Sequence, residues 1–375
     1  MKNSLQKNNL QKDSLQKDNL QKINNIKKIY TNISIFSLND YNIYFCNTQY
    51  ELYNLAIFSI IKSFSSVVNI PHIVCSNMEH PYIIEILDNY VSQNIITVSY
   101  TIADIYGSTS VNEIETAIKS DTCLIIVNFI NRIIGTINNI KAIGDLAHKH
   151  KIPLFSDCIY IFGRSHFTPL ENNIDIFSSK VHQNIYLLVI RKELFIGFKL
   201  EAQSIKFQNN SEKLISIDDK IYKLIIQTLG EFQNSKILSK NKKVLTLKKY
   251  LYNCLKKNCE RTSNVVYYYD DIVKMNTIPK INDIVVLGHH LEDDNKSSSC
   301  ILSFIYISSV AANIEKELKK LDCFVPLTNT TLLENMGILK KWAKRVITIN
   351  LDNCVKADIN ALLEILFKKS KSVKK

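Results

Sequence analysis

The chain has 375 residues, 46% of them hydrophobic, which suffices for one large or two modest packed domains and excludes a fibrous or wholly disordered class. No run reaches the ~18 uninterrupted apolar residues of a membrane span, and the polar, lysine-rich N-terminus lacks a signal-peptide core, so the expected compartment is cytoplasmic. The net charge of +12 sits mostly at the ends, +5 within residues 1–28 and +5 within "KKSKSVKK" from Lys368, so nucleic-acid binding is not expected beyond non-specific tail contacts with phosphate.

Residues 5–24 repeat a five-residue unit, "LQKNN LQKDS LQKDN LQKIN". A period of five turns successive leucines by about 140° on a helix, so no apolar stripe forms. Residues 1–28 are therefore expected to be a low-complexity, disordered arm. Apolar strand-like runs then alternate with helical periodicity. "YNIYFC" (Tyr41–Cys46) predicts a strand and Tyr50–Phe64 a helix. "HIVCS" (His72–Ser76), "IITVSY" and "TCLIIVNF" (Thr122–Phe129) predict strands, separated by the helices "HPYIIEILDNYV" and "VNEIETAI". Ile140–His150 predicts a helix, and "IPLFSD" (Ile152–Asp157), "DIFSSKVH" and "IYLLVI" predict strands. Beyond about residue 205 the pattern changes. A long helical region, about Ser216–Asn258, precedes the strands "SNVVYYY", "DIVVLG" and "SSSCILSFIYI". Helices around Asn313–Leu321 and Leu332–Ala343, the strand "RVITINL" and a last helix at about Asp358–Lys368 follow. The spacing predicts a large α/β domain over 29–255, a smaller α+β domain over 256–368 and a basic tail over 369–375.

Nine cysteines, odd in number and without a CxxC pair, fit a reducing compartment and read mostly as small buried hydrophobes. Asp157 closes an apolar strand, where parallel α/β sheets place ligands. A carboxylate there either serves a cationic ring nitrogen or caps a neighbouring loop or helix. In the run "FSSKVHQNIYLLVIRKEL" the polar Lys180, His182 and Gln183 interrupt an apolar strand.

These residues share a spacing with a known family. "NRIIGTINNIKAIGDLAHKHKIPLFSDCIYIFG" followed by "NNIDIFSSKVHQNIYLLVIRKEL" resembles the class V aminotransferase-like enzymes, and within them the cysteine desulfurase (NifS-like) branch. That branch carries a segment close to NNEIGTxxxIxxIGxxAH, a strand ending in the Asp that pairs with the pyridinium of pyridoxal phosphate, and SxHK with the Schiff-base lysine. The match runs without a gap from Gly135 to Gln183, with weaker echoes in "NMEHPYIIEIL", "LEAQ" (Leu200–Gln203) and "LLENMGI…RVITINLDNCVKADINALLEIL". The resemblance implies the PLP-dependent transferase (fold type I) architecture: a mainly parallel sheet flanked by helices, with a smaller C-terminal α+β domain. It implies pyridoxal phosphate as cofactor, and a homodimer or a protein partner.

Under this resemblance Asp157 matches the pyridinium partner, His182 the histidine before the lysine, and His80 the histidine that stacks on the cofactor ring. Asn131 is retained beside Arg132, which replaces the asparagine expected on the ring hydroxyl, and Tyr160 replaces a nearby glutamine. Gln183 stands where the family keeps its lysine, and an amide can neither form an imine nor shuttle the α-proton. "CNTQYE" (Cys46–Glu51) replaces a TSGATE-like phosphate loop, so Thr48 occupies the position of a glycine. Lys180 sits at the family's phosphate-binding serine, and Thr348 near its substrate-carboxylate arginine. The family's substrate-facing N-terminal segment and dimer-packing helix have no counterpart. Cys323 falls within one residue of the family's sulfur-accepting cysteine, and reads either as a nucleophile or as a buried thiol.

The expected function is therefore that of a binding or scaffolding pseudoenzyme on a NifS-like frame. The alternative is an active or non-standard cysteine desulfurase or lyase, with Lys180 forming a displaced imine. Residues 180 and 183 of an extended strand point to opposite faces, which disfavours that displacement. Non-covalent binding of the cofactor or another anion through Lys180 is a third option. "GHHLEDD" (Gly288–Asp294) lacks the spaced ligands of a zinc site and is expected to be a solvated loop, with no metal.

Overall fold

The computed structural model describes residues 17–32, 39–65, 68–161, 168–182, 185–194, 219–231, 234–291, 293, 296–298, 300–307, 311–325, 333–334, 336–352 and 354–368. Gln183, the "LEAQ" run, Glu292, Asp294 and the basic tail 369–375 lie outside the described residues, as do residues 1–16 of the expected arm.

The first described element departs from the expected disordered arm: residues 17–32 form a helix, α1. Its buried apolar positions are Ile23, Ile26 and Tyr30, spaced three and four apart, while Leu20 of the repeat is 52% exposed. The helix is thus held by a stripe that begins inside the last copy of the five-residue unit. Fully burying three such side chains stabilises by roughly 1.5–3 kcal/mol each. The Tyr30 hydroxyl also lies 2.5 Å from Ser179 Oγ, and Lys22 bridges Asp18 and Asp219.

Seven strands make the large sheet: β1 (Tyr41–Cys46), β2 (His72–Ser76), β3 (Thr97–Thr101), β4 (Thr122–Ile126), β5 (Leu154–Asp157), β6 (Ile176–His182) and β7 (Ile185–Arg191), in the order β1-β7-β6-β5-β4-β2-β3. Neighbours from β3 through β6 are parallel, whereas β7 runs antiparallel to both β6 and β1. Strands β2, β4 and β5 are buried at every position, as parallel strands covered on both faces must be. Alternation along β4 separates two cores, Ile125 and Val127 on one face, Leu124 and Ile126 on the other. Helices α2 (Gln49–Phe64) and α3 (Pro81–Ser92) cover the second face, and α4 (Val111–Ala117) and α5 (Ile140–Lys149) contribute to the first.

The expected long helical region is two helices, α6 (Asp219–Glu231) and α7 (Asn234–Arg261). They lead to a second sheet of five strands, in the order β11-β12-β10-β9-β8. These strands are β8 (Val266–Tyr268), β9 (Ile284–Val286), β10 (Ile301–Tyr306), β11 (Phe324–Val325) and β12 (Val346–Asn350). Its helices are α8 (Tyr269–Met275), α9 (Ala311–Leu318), α10 (Lys340–Ala343) and α11 (Lys356–Lys368). Helix α8 and strand β11 are unanticipated, and within the helix expected over Leu332–Ala343 the described residues 336–339 are not helical, the helix α10 following them as a single turn. The two sheets meet at the turn through Gly135, whose φ is +83°. A Cβ there would lie 2.9 Å from Ile301 Cβ, so only glycine fits both the backbone angle and the approach.

Candidate functional site

The carboxyl ends of β1, β2, β4 and β5 point the same way, and their trailing loops bring Thr48, Glu79, His80, Asn131, Arg132 and Asp157 to one edge of the sheet. That is the edge where ligands sit in open α/β sheets. Asp157 is 6% exposed. Its Oδ1 accepts from Ser178 Oγ at 2.5 Å and from the Ile159 amide at 3.2 Å, and its Oδ2 accepts from the Tyr53 hydroxyl at 2.7 Å. Burial pushes this carboxyl above its ordinary range, while the hydrogen bonds from Ser178 and Tyr53 pull the other way.

Tyr53 belongs to the buried face of α2, and its ring centroid is 5.4 Å from that of His80. One phenol therefore spans from the histidine to the carboxylate. His80 caps α3: its Nδ1 accepts from the Tyr82 amide at 3.1 Å, and Pro81 starts the helix. That bond puts the ring proton on Nε2, so Arg132 Nη1, 3.5 Å away, is a contact of two donors and not a hydrogen bond. Burial first, and the Arg132 charge second, lower the His80 pKa to about 3. His80 is thus a neutral ring at any ordinary pH.

Glu79, fully buried, accepts from the Asn128 amide at 2.6 Å and from Asn128 Nδ2 at 2.8 Å, both on Oε1. Its Oε2 and the Nε of Arg132 are buried without a hydrogen-bond partner among the described residues. Burial raises the Glu79 pKa to about 8.

The residues expected to hold a cofactor are engaged in other contacts. Thr48 is the N-cap of α2 and accepts from the Glu51 amide at 3.1 Å, and Glu51 in turn accepts from the Asn47 amide at 3.0 Å. Asn131, buried, accepts from the amides of Ile133 and Ile134 and shapes the turn that follows. Lys180 is exposed on β6, with Nζ 5.4 Å from the centroid of the Tyr186 ring, and partial desolvation lowers its pKa. His182 ends β6 opposite Ile185. Tyr160 packs on the main core.

Two further candidates lie on or beside the second sheet, and the Thr348 hydroxyl donates to the Ile133 carbonyl, just after Arg132, at 3.3 Å. Thr348 is buried in β12, its Oγ1 2.8 Å from Ser303 Oγ. Cys323, 6% exposed, faces Cys354; a hydrogen bond from Cys354 draws its pKa down. His289 and His290 are half-buried and stacked on tyrosines, which corrects the expectation of a wholly solvated loop.

A pyridinium ring paired with Asp157 and stacked on His80 would have to occupy the space between them. The Tyr53 phenol fills that space and donates the hydrogen bond the ring nitrogen would make. The residues present therefore do not fit the cofactor that the resemblance implies. Tyr53, Glu79 and Ser178 were not singled out in the sequence. Tyr53 reads there as one more apolar position of α2, and only its pairing with a residue 104 positions away gives it a role.

The family model for aminotransferase class-V matches residues 6–186. The cysteine desulfurase IscS of Methanosarcina thermophila is 33% identical over 141 residues, 38% of this chain and 34% of that protein. The mitochondrial cysteine desulfurase of Saccharomyces cerevisiae is 33% identical over 112 residues, 30% of this chain and 22% of that protein. The matched stretches thus span no more than about a third of these relatives. A NifS-like protein from Rickettsia africae has a similar fold, with a TM-score of 0.66 and 17% identity over 95% of this chain and 89% of its own.

Proposed function

From a chain that belongs to the class V aminotransferase-like proteins, on their NifS-like branch, we propose a binding or scaffolding protein without pyridoxal-phosphate catalysis. The observation that carries this reading is the Tyr53 hydroxyl on Asp157 Oδ2 at 2.7 Å, with the same ring against His80. It agrees with Gln183 at the position of the family's lysine. The ring slot is sealed by the protein's own side chain, and the reactive amine is replaced by an amide. Function then rests on surfaces, through a second copy of the chain or a protein partner.

The second reading, an active cysteine desulfurase-like transferase, is favoured by one property of Lys180. Desolvation lowers its pKa, the direction an imine-forming lysine needs. Its position over Tyr186, on the exposed side of β6, supports a surface role instead.

Borohydride reduction after incubation with pyridoxal phosphate, followed by peptide mass spectrometry, separates the two. The expected result is no pyridoxyl mass on any peptide within residues 170–195. Stoichiometric labelling of Lys180, abolished by Lys180→Ala, would overturn the proposal and make cysteine the first substrate to test.

A further inference from the structure

A second constellation lies where the small domain meets the loop after β3. Asp270 lies in the first turn of α8 and is 2% exposed. Its Oδ2 accepts from the Tyr106 hydroxyl at 3.0 Å and from Lys274 Nζ at 3.1 Å. Its Oδ1 is buried with no hydrogen-bond donor among the described residues. That bare oxygen is 3.4 Å from His290 Nε2, and the Asp271 carboxylate closes the group, one ligand atom from each residue lying within 4.8 Å of the others.

The distances suit a metal. In a tetrahedral site with bonds of about 2.0–2.2 Å, adjacent donor atoms are separated by roughly 3.3–3.6 Å. The Asp270–His290 separation of 3.4 Å is such an edge. The half-exposed Asp271 side chain, in the first turn, closes the remaining distance by rotating about χ1. The ligands are already oriented from behind. Tyr268 stacks on the His290 ring at 3.9 Å, and its hydroxyl accepts from the Leu291 amide at 3.2 Å. Tyr106 and Lys274 turn the Asp270 carboxylate so that Oδ1 faces the gap, as outer partners do around metal ligands. Two adjacent carboxylates are offset by only one lysine, and His290, 43% exposed at its side chain, leaves the remaining coordination positions open to water.

We propose that Asp270, Asp271 and His290 bind a divalent transition-metal ion of the zinc or manganese class, with one nitrogen and two oxygen ligands. The spacing within "GHHLEDD" gave no hint of it, because the acids that join His290 come from another element. A bound ion would tie α8 to the segment after β9 and, through Tyr106, to the large domain.

The test is titration of the full, chelator-stripped chain with Co²⁺, Zn²⁺ and Mn²⁺, followed by calorimetry and, for Co²⁺, by visible absorption. The expected result is one equivalent bound, with d–d bands and no thiolate-to-cobalt charge transfer. Asp271→Asn and His290→Gln, both at half-exposed positions, should each weaken binding at least ~10-fold. Their metal-free melting points should match the parent, showing that both variants fold. Saturating metal should raise the melting point of the parent and not of the variants. No binding, binding unaltered by both variants, or a thiolate band that assigns the ion to cysteines would each overturn the site.

Discussion

The Tyr53 hydroxyl donates to Asp157 Oδ2 across 104 residues of sequence, at 2.7 Å. Both groups are buried, so each satisfies the other, and the pair closes the slot at the sheet edge. Tyr53→Phe removes the donor and leaves the carboxylate oxygen short of a partner in a dry site. The expected loss is about 1–3 kcal/mol in denaturant unfolding. Tyr53→Ala goes further and opens the slot. This variant should retain pyridoxal phosphate non-covalently through dialysis, read by its absorbance, where the parent retains none. Equal retention by both would show that the phenol does not close the slot.

Two titrating groups of this edge act on stability with opposite signs. Glu79 titrates at about 8 when folded, above its ordinary value of 4.5, so between those pH values the folded state holds a proton the unfolded state has lost. Its contribution is full below about 4.5 and is lost as pH rises towards 8. His80, at about 3 against 6.5, is the reverse: its contribution is full above 6.5 and is lost as pH falls towards 3. Of these two groups only Glu79 still titrates between pH 6.5 and 8, so its contribution to unfolding free energy should fall with rising pH there, by no more than ~1.4 kcal/mol per unit. Glu79→Gln should flatten that window, and an unchanged slope would remove Glu79 as its source.

Eight of the nine cysteines are buried and Cys254 alone is half-exposed, all nine being among the described residues. Thiol titration of the native protein should therefore find one fast-reacting group, absent in Cys254→Ser. Cys323 should be alkylated only on unfolding, despite its lowered pKa, because a thiolate must also be reached. Rapid native labelling of Cys323 would revive the sulfur-accepting reading.

Gly135→Ala should cost about 1–3 kcal/mol, from its φ of +83° and the approach of Ile301 Cβ. Thermal or denaturant unfolding reads this directly.

The strands and helices around the seven-stranded sheet were legible because their periodicities are unambiguous. Continuous apolar runs such as His72–Ser76 become buried parallel strands, and the α2, α3 and α5 stripes become covering helices. The elements around the five-stranded sheet were less legible. Helix α8 has only seven residues, and α10 is one turn, too short for a period to declare itself. Asp157 and His80 were readable at the site edge through spacing to a known pattern. Glu79 and Tyr53 were not, since a glutamate before a histidine and a tyrosine within an apolar helix carry no local sign of burial beside each other. The helix over residues 17–28 has no sign in the repeat's leucines, whose spacing forms no stripe; its anchoring residues are Ile23, Ile26 and Tyr30.

That anchoring has a consequence for how the gene can vary. The contacts that fix α1 begin at Lys22 and Ile23, within the last copy of the five-residue unit. Copies upstream of it can be gained or lost in whole units, as tandem coding repeats do by replication slippage, without altering the spacing from Ile23 to Tyr30. Length variation among alleles of the gene should accordingly concentrate before residue 20, in multiples of five, while the segment from Lys22 to Tyr30 keeps its length.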